Sequence, residues 1–584
     1  MRIFFSSIVF LIGAMMSPMA VCANAVAEVE QLADSGAVNL ALRVLDREQS
    51  KASKQTALWE KYEQQRIGLY QLRHDWQQIS ERLGRLPKTV TPEFAQWAQA
   101  QRAEALIQLG HGEIARAALR QLIWSTQTHD AQQLSRWRRL IIRSYLGDGL
   151  ATDAQTAALR FRQDYPERAD RDYLLRARIL LLNQNYDEAV ELLKQHADEP
   201  TAGALLLLTQ LRGQMRPSNK VLQATYRHLR EKGITEEMTA NLWAVATEAA
   251  ERAGNRGSTA MALEQVLVNR KALSLPKSII DPKSDDLWNA YIDYAVAISN
   301  KQQLLIGQDE KWLALADKIK KKQPVGARSL YAFVMLRGQQ TAARDQAAQD
   351  FVTLIATRKQ GNELLQILFN DSQYFKHRSD IPEPVRHKLV DLALASGDID
   401  LASEIMATIK KPPPGQDQFM WYLRRARILV LGNQIKLGTQ ALNAILKANP
   451  KLKQLQVDRF MQVIFDLQTA GENEAACDLF AKVMTRTDDQ KTQREIYYWM
   501  ADSRKAQERY DEAAQLYLKS AMYPDPTSMD PWSQTAHYQA AVALAKAGMY
   551  QDAKTLLERL LKVTKDPERR DALQRELQKM WAMQ

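Results

Sequence analysis

The amino-acid sequence predicts an all-α protein, a solenoid of stacked antiparallel helix hairpins, and three observations carry that expectation. The octet Tyr173-Leu174-Leu175-Arg176-Ala177-Arg178-Ile179-Leu180 returns as Tyr422-Leu423-Arg424-Arg425-Ala426-Arg427-Ile428-Leu429, each copy followed at the same distance by a second helical pattern. One grammar recurs along the chain: an apolar helix, a Gly or short polar turn, an aromatic or aliphatic residue, then a small residue three positions later. No useful stretch alternates apolar and polar residues as a half-buried strand would.

Taken in order, residues 1–23 differ from the rest. Arg2 gives a positive start, Ile3 to Met16 are mostly apolar, and Val21-Cys22-Ala23 offers small residues before a cut. The pattern is that of a secretory signal peptide, with Ala25-Val26-Ala27 as a second cut site. The expected location is the periplasm, and an uncleaved anchor facing the periplasm is the alternative. The apolar run is short for a stable span, and no transmembrane span is expected after cleavage. Val21 stands before Cys22 where a lipidation signal needs a small residue, which argues against a lipid anchor. Cleavage would leave Cys477 as the sole cysteine, so an intramolecular disulfide is not expected. In Glu474-Ala475-Ala476-Cys477-Asp478-Leu479-Phe480 that thiol reads as a small buried hydrophobe.

The hairpin grammar begins at Gly36-Ala37-Val38 leading to Ala41. It continues at Asp75-Trp76 to Ile79, Gly110-His111-Gly112 to Ala115, Gly149-Leu150-Ala151 to Ala154, and Asn185-Tyr186-Asp187-Glu188-Ala189. Subtracting those last residue numbers gives steps of 38, 36, 39 and 35, the period of paired-helix repeats. A glycine in the turn supplies positive φ, and a small residue lets helix axes approach to about 8–10 Å. After Pro200 the period loosens, with turns expected at Gly213 and at Gly254 leading to Thr259. Leu275 to Asp286, with Pro276 and Pro282, reads as a linker or enlarged loop. Helix resumes at Trp288, and Gly338 to Ala343 is a further hairpin.

The regular pattern returns at Gly397-Asp398-Ile399 leading to Ala402. It then runs through Gln434-Ile435 to Gly438, Gly471-Glu472-Asn473 to Ala476, Arg509-Tyr510-Asp511-Glu512-Ala513, and Gly548-Met549-Tyr550 to Ala553. The steps are 36, 38, 37 and 40. Pro412-Pro413-Pro414-Gly415 breaks helix and forms a stiff connection. The resulting division is a signal peptide over 1–23, a helical array over 28–270, an irregular helical segment or linker over 271–325, and a second array over 326–584 that ends in a capping helix.

This pattern resembles the tetratricopeptide repeat (TPR) superfamily. Tyr186-Asp187-Glu188-Ala189 and Tyr510-Asp511-Glu512-Ala513 look like the start of that family's second helix. Pro166 and Pro450 fall twelve residues after Ala154 and Gly438, where the family consensus ends in Pro. Ala177, Ala426 and Ala501 stand where the first helix usually has Gly, so the repeats are degenerate. The resemblance implies a right-handed superhelix in which the first helix of each hairpin lines a concave groove. It also implies that the residue after the small one points inward: Arg143, Arg178 and Arg427 here, with Arg139 one turn before Arg143. Such a row would present forked guanidinium groups to carboxylates or phosphates. The opposing reading is that these arginines pair with carboxylates on neighbouring helices. Trp532, in the proline-rich stretch Pro524 to Trp532, is a further partner-binding candidate and otherwise packs at a helix start.

Catalysis is not expected. The eight His are scattered, no His-Glu-x-x-His occurs, and no phosphate loop or nucleophile elbow is present, so no catalytic residue, metal site or cofactor is assigned. Some exported glycan-cleaving enzymes carry helical superhelices beside a globular catalytic domain, whereas Tyr550 to Trp581 reads as one more repeat and a cap. Net charge is +11 and the sequence pI about 9.3. In an exported chain that balance favours a protein partner with an anionic face, or an acidic glycan, over nucleic acid. The expected role is therefore a non-catalytic periplasmic scaffold or adaptor in envelope assembly, secretion or exopolysaccharide handling. The alternative is an accessory that binds peptidoglycan or acidic glycan and regulates cell-wall enzymes.

Overall fold

The structure is a computed structural model that describes residues 18–52, 55–125, 130–196, 199–370, 372–413, 415–527 and 529–583. The apolar run of the expected signal peptide and Pro414 lie outside the described residues. Among those residues all regular secondary structure is helical, with no strand, and the chain divides into two compact units, Met1–Ser299 and Asn300–Gln584. The division falls inside the stretch read as irregular, 271–325.

The first unit is a stack of helix hairpins: α1 (Pro18–Asp34) with α2 (Val38–Lys51), α3 (Thr56–Leu72) with α4 (Trp76–Leu83), α5 (Pro92–Leu109) with α6 (Gly112–Ser125), and α7 (Ala131–Gly147) with α8 (Ala151–Asp164). A short α9 (Pro166–Arg171), which the repeat grammar does not announce, leads to α10 (Tyr173–Leu182) with α11 (Tyr186–Lys194), α12 (Pro200–Arg212) with α13 (Ser218–His228), α14 (Glu236–Arg252) with α15 (Arg256–Val268), and then α16 (Ser284–Ile298).

The second unit opens with α17 (Lys301–Leu305) and α18 (Asp309–Ile319), within the stretch read as an irregular helical segment or linker. α19 (Pro324–Arg337), α20 (Thr341–Ala356) and α21 (Gly361–Asn370) follow. Regular hairpins resume with α22 (Glu383–Ala395) and α23 (Ile399–Ala407), α24 (Gln418–Leu431) and α25 (Ile435–Ala448), α26 (Gln454–Thr469) and α27 (Asn473–Met484), α28 (Gln490–Ala506) and α29 (Tyr510–Met522), and α30 (Pro531–Lys546) and α31 (Tyr550–Val563). α32 (Pro567–Met583) packs on α31.

Two local devices recur in the hairpins. Six first helices start on a side-chain cap: Thr91, Asp130, Thr235, Asp417, Asp489 and Asp530 each accept a main-chain N–H from the first turn, which satisfies donors that helix geometry leaves open. Most first helices end on a left-handed residue whose successor donates back to the helix. Gly36 has φ +83° and the Ala37 N–H bonds the Leu32 carbonyl at 2.8 Å, the wrap-around C-cap. The same bond closes turns that lack glycine, at His74, Gln184, Asn433 and Glu508. At the turn expected on Gly213 the left-handed residue is Gln214, with φ 55°; the chain leaves the helix one residue later than the glycine suggests.

The small residues of the grammar are where helices meet. Ala41, Ala115, Ala154, Ala189, Ala402, Ala476, Ala513 and Ala553 are all fully buried, as are Ala177, Ala426 and Ala501 on the first helices. At Gly438 a Cβ would lie 2.7 Å from Val430 Cγ2 and 3.2 Å from the Ala426 carbonyl, so nothing larger fits without movement. In α15 the buried small residue is Ala260, and Thr259 is only half-buried. There Gly257 sits against the Tyr294 ring, with a Cβ position 2.9 Å from Cζ, and that close contact sets the crossing. Cys477 is buried among these helices, where burial raises its thiol pKa and keeps it protonated. Lys320, Lys321 and Lys322 are exposed at the end of α18, with Lys320 paired to Asp317 at 2.8 Å.

Candidate functional site

In the first unit the first helices approach one another from hairpin to hairpin, α5 against α7, α7 against α10, α10 against α12 and α12 against α14. They form one layer of the stack, and because the segment after α15 packs onto that layer it is the inner face of this unit. Three of the predicted arginines are half-exposed on first helices and paired with carboxylates of the neighbouring hairpin. Arg139 pairs with Asp172, the residue before α10; burial raises the Asp172 carboxyl pKa, against the pull of Arg139. Arg143 donates to Glu104 of α5 at 2.9 Å. In the second unit Arg427 donates to Asp466 of α26 at 2.8 Å. Each pair joins one hairpin to the next through a side chain that still meets water. Trp532 packs at the start of α30, its indole N–H donating to Ser520 Oγ at 3.0 Å and its ring 5.2 Å from that of Tyr498.

Arg178 is different. It lies on α10 next to α7, near enough to Arg143 and Glu237 for both to act on its charge, and burial is the largest influence lowering its pKa. What covers it is the segment from Leu273 to Pro282; the linker or enlarged loop was expected over Leu275 to Asp286, and its last three residues instead form the first turn of α16. This strap leaves a short 3-10 turn at Arg270–Ala272 and lies against the inner helices before entering α16. Asn241 of α14 grips Ser274 twice, its Nδ2 donating to Oγ at 2.9 Å and its Oδ1 accepting the main-chain N–H at 3.2 Å. Arg178 donates from Nη2 to the same Oγ at 3.3 Å.

Further along the strap, Ser278 Oγ donates to the Leu146 carbonyl of α7. Arg212 of α12 donates to the Ile279 carbonyl at 2.6 Å while held in a fork by Glu248 at 2.8–3.1 Å. Leu275 and Ile279 are buried, and the Ile279 N–H bonds the Pro276 carbonyl at 2.8 Å in a single turn. Beside the strap, Ile280, Asp281 and Pro282 wall a cavity of about 870 Å³ against α14, α15 and α16. Asn241, Arg212, Ser274 and Ser278 have no marker in the sequence; only the proline-flanked break in helical pattern hints at this segment.

Among the described residues no group of three or more His, Cys, Asp or Glu is placed to hold a metal ion, and no helix is long and apolar enough to cross a membrane. No family model matches the chain, and no curated protein does. Solved structures of helical-repeat proteins are similar over nearly their whole length. Cut9 with Hcn1 from the APC/C covers 97% of this chain and 96% of that chain at 11% identity and TM-score 0.25. The Naa15/Naa10 complex bound to HypK-THB covers 96% of each chain at 13% identity and TM-score 0.26. Yeast Tom70 covers 97% of each at 12% identity and TM-score 0.22. At those scores the likenesses carry no argument, and the TPR-like architecture rests on the hairpins, turns and buried small residues themselves.

Proposed function

We propose that this protein is a non-catalytic scaffold of the periplasm that binds protein partners with anionic faces in envelope assembly or secretion. The observation that carries the reading is that Arg139 and Arg143 in the first unit, and Arg427 in the second, each stand half-exposed on the first helix of a hairpin. A guanidinium has five donors, so an arginine already paired to one carboxylate keeps donors for another. The net charge of +11 draws acidic surfaces over a longer range.

The test compares the wild-type chain with a triple Arg139→Gln, Arg143→Gln, Arg427→Gln variant as bait in envelope extracts, followed by binding of the recovered partner in purified form. The three ion pairs are half-exposed, where such a pair contributes about 0–1 kcal/mol, so the melting temperature should move little while affinity falls at least tenfold. Equal affinity would remove the three arginines from the function. Co-sedimentation with purified sacculi, lost in the same variant, would move the reading to an acidic glycan.

Export is part of the same proposal, with cleavage leaving Asn24 or Glu28 first. Val26 and Val29 belong to the buried cluster of α1 to α3, and the Val26 carbonyl accepts from Gln65 at 3.1 Å; these contacts favour the cut after Ala23, which keeps Val26. Intact mass of the protein from the periplasmic fraction checks this, and a chain retaining Met1 would overturn it.

A further inference from the structure

The strap is bound to the inner face as a ligand would be. Side chains of three helices and the main chain of a fourth read it: Asn241 and Arg178 at Ser274, Arg212 at the Ile279 carbonyl, and the α7 main chain at Ser278. Leu275 and Ile279 supply two aliphatic anchors four residues apart. One feature of the fit is incomplete: Arg178 Nε is buried and has no hydrogen-bond partner among the described residues. A buried N–H without an acceptor is costly, and the two acceptor positions of the Ser274 hydroxyl are already taken, by Asn241 Nδ2 and Arg178 Nη2. A carboxylate at the same place would accept from both Arg178 nitrogens, Nε and Nη2, in a fork.

We propose that the inner face of α7, α10, α12 and α14 is a binding site for a protein segment bearing Asp or Glu, an aliphatic residue directly after it, and, across a single turn, a second aliphatic residue four positions on. The strap Leu273–Pro282 holds that site in cis through a serine where the incoming segment has its carboxylate. Arg178 determines the specificity. Because the strap is tethered, it competes at an effective concentration on the order of millimolar, so only a segment with the better acceptor displaces it. The proposal does not rest on the three half-exposed arginines: an unchanged affinity in the Gln triple variant leaves it standing.

The probes are two labelled synthetic peptides, one with the sequence of residues 270–283 and one with Ser274→Asp in that sequence. The full-length chain should bind the aspartate peptide at least tenfold more tightly than the serine peptide. Leu275→Asp with Ile279→Asp in the chain releases the strap and should raise affinity for both peptides at least tenfold. Adding Arg178→Gln to that variant should abolish the preference between them. A released chain that keeps its helical far-UV spectrum and binds neither peptide overturns the proposal, as does a preference that survives Arg178→Gln.

A second variant serves should the released chain fail to fold. Ser274→Asp in the full chain places the carboxylate in cis, and should raise the melting temperature, slow hydrogen exchange in the strap, and weaken binding of the aspartate peptide at least tenfold. A lower melting temperature with faster exchange in the strap would overturn the proposal.

Discussion

Arg178 and Arg427 occupy the same position in two copies of one octet, and their surroundings are opposite. Each follows a fully buried alanine, Ala177 or Ala426, and each sits on the first helix of a hairpin. Arg427 reaches across to Asp466 with half its side chain in water. Arg178 is pressed under Ser274, and burial lowers its pKa. The octet fixes which way the side chain points. What the side chain then meets is decided elsewhere in the chain, by a segment 96 residues away in the case of Ser274.

The largest expected effect tests that difference directly. Arg178→Glu would put a carboxylate beneath the strap and close to Glu237; the side chain is only partly exposed, and the cost approaches, as an upper bound, the roughly 3–5 kcal/mol of an uncompensated buried charge. Arg427→Glu sets a like charge beside Asp466 in water, where such pairs are worth about 0–1 kcal/mol. Urea unfolding followed by hydrogen exchange should therefore show α10 to α14 opening early in the first variant and little change in the second. Equal, small losses would mean that the strap does not enclose Arg178.

Most of the architecture was legible because its constraints are local. A left-handed turn residue and a small residue five positions later, as in Gly36 and Ala41 or Gly471 and Ala476, leave marks within one hairpin. Where chemistry replaced glycine, as at Gln214, the turn was displaced by one residue. α9 was missed because Pro166 fits the end of a repeat as well as the first turn of a helix. The inner face was legible only in part. Arg139, Arg143, Arg178 and Arg427 could be placed on first helices by register, whereas Asn241 and Arg212 matter only because the strap arrives from sequence positions 33 and 67 residues on. Single-sequence periodicity has no access to such pairs.

The two copies also differ at the crossing of their hairpins, Ala189 in one and Gly438 in the other. Val430 is β-branched and fills the space that a Cβ at 438 would need, 2.7 Å away; Leu181 stands at the matching place in the first copy. Gly438→Val should destabilise the second unit by about 1–3 kcal/mol through overpacking. Val430→Ala in the same chain should recover part of that loss, read as the midpoint of urea unfolding. A fully additive double variant would show that the two positions do not share the space.

Acid should weaken the second unit by a separate route. His387, edge-on to Trp421 and within 3.8 Å of Glu383, has its pKa lowered first by burial, with Glu383 and Asp391 opposing and Arg386 and Arg424 assisting. His537 is lowered by burial as well, against its bond to the Ser533 carbonyl. Both imidazoles are neutral in the fold, so on acidification the unfolded chain takes up protons first. Stability is then lost as pH falls through the unfolded value near 6.5 toward the folded one. The melting temperature of the second unit should fall from pH 7.5 to pH 5.5, and the fall should be shallower in a His387→Gln, His537→Gln variant. An unchanged slope would show that neither imidazole is linked to folding in that range.

The smallest effect returns to the octets, eleven residues after their starts. Gln184 and Asn433 hold the left-handed turn at φ 63° and 58°, each followed by the wrap-around bond, Asn185 N–H to the Leu180 carbonyl at 2.9 Å and Gln434 N–H to the Leu429 carbonyl at 2.8 Å. The backbone is thus the same and the side chain differs. An L-residue in this region carries a steric cost of roughly 1–2 kcal/mol, which Asn escapes in part by hydrogen-bonding locally. Glycine removes the strain but gives the unfolded chain more freedom, so the net gain is smaller than the strain. Gln184→Gly should stabilise by about 0.5–1 kcal/mol, and Asn433→Gly by about a few tenths of that unit at most. Denaturant midpoints of the two variants, measured with the unfolding slopes unchanged, decide the matter. If Asn433→Gly gave the larger gain, the turn conformation would not be what distinguishes these positions, and packing around Gln184 would have to explain its retention.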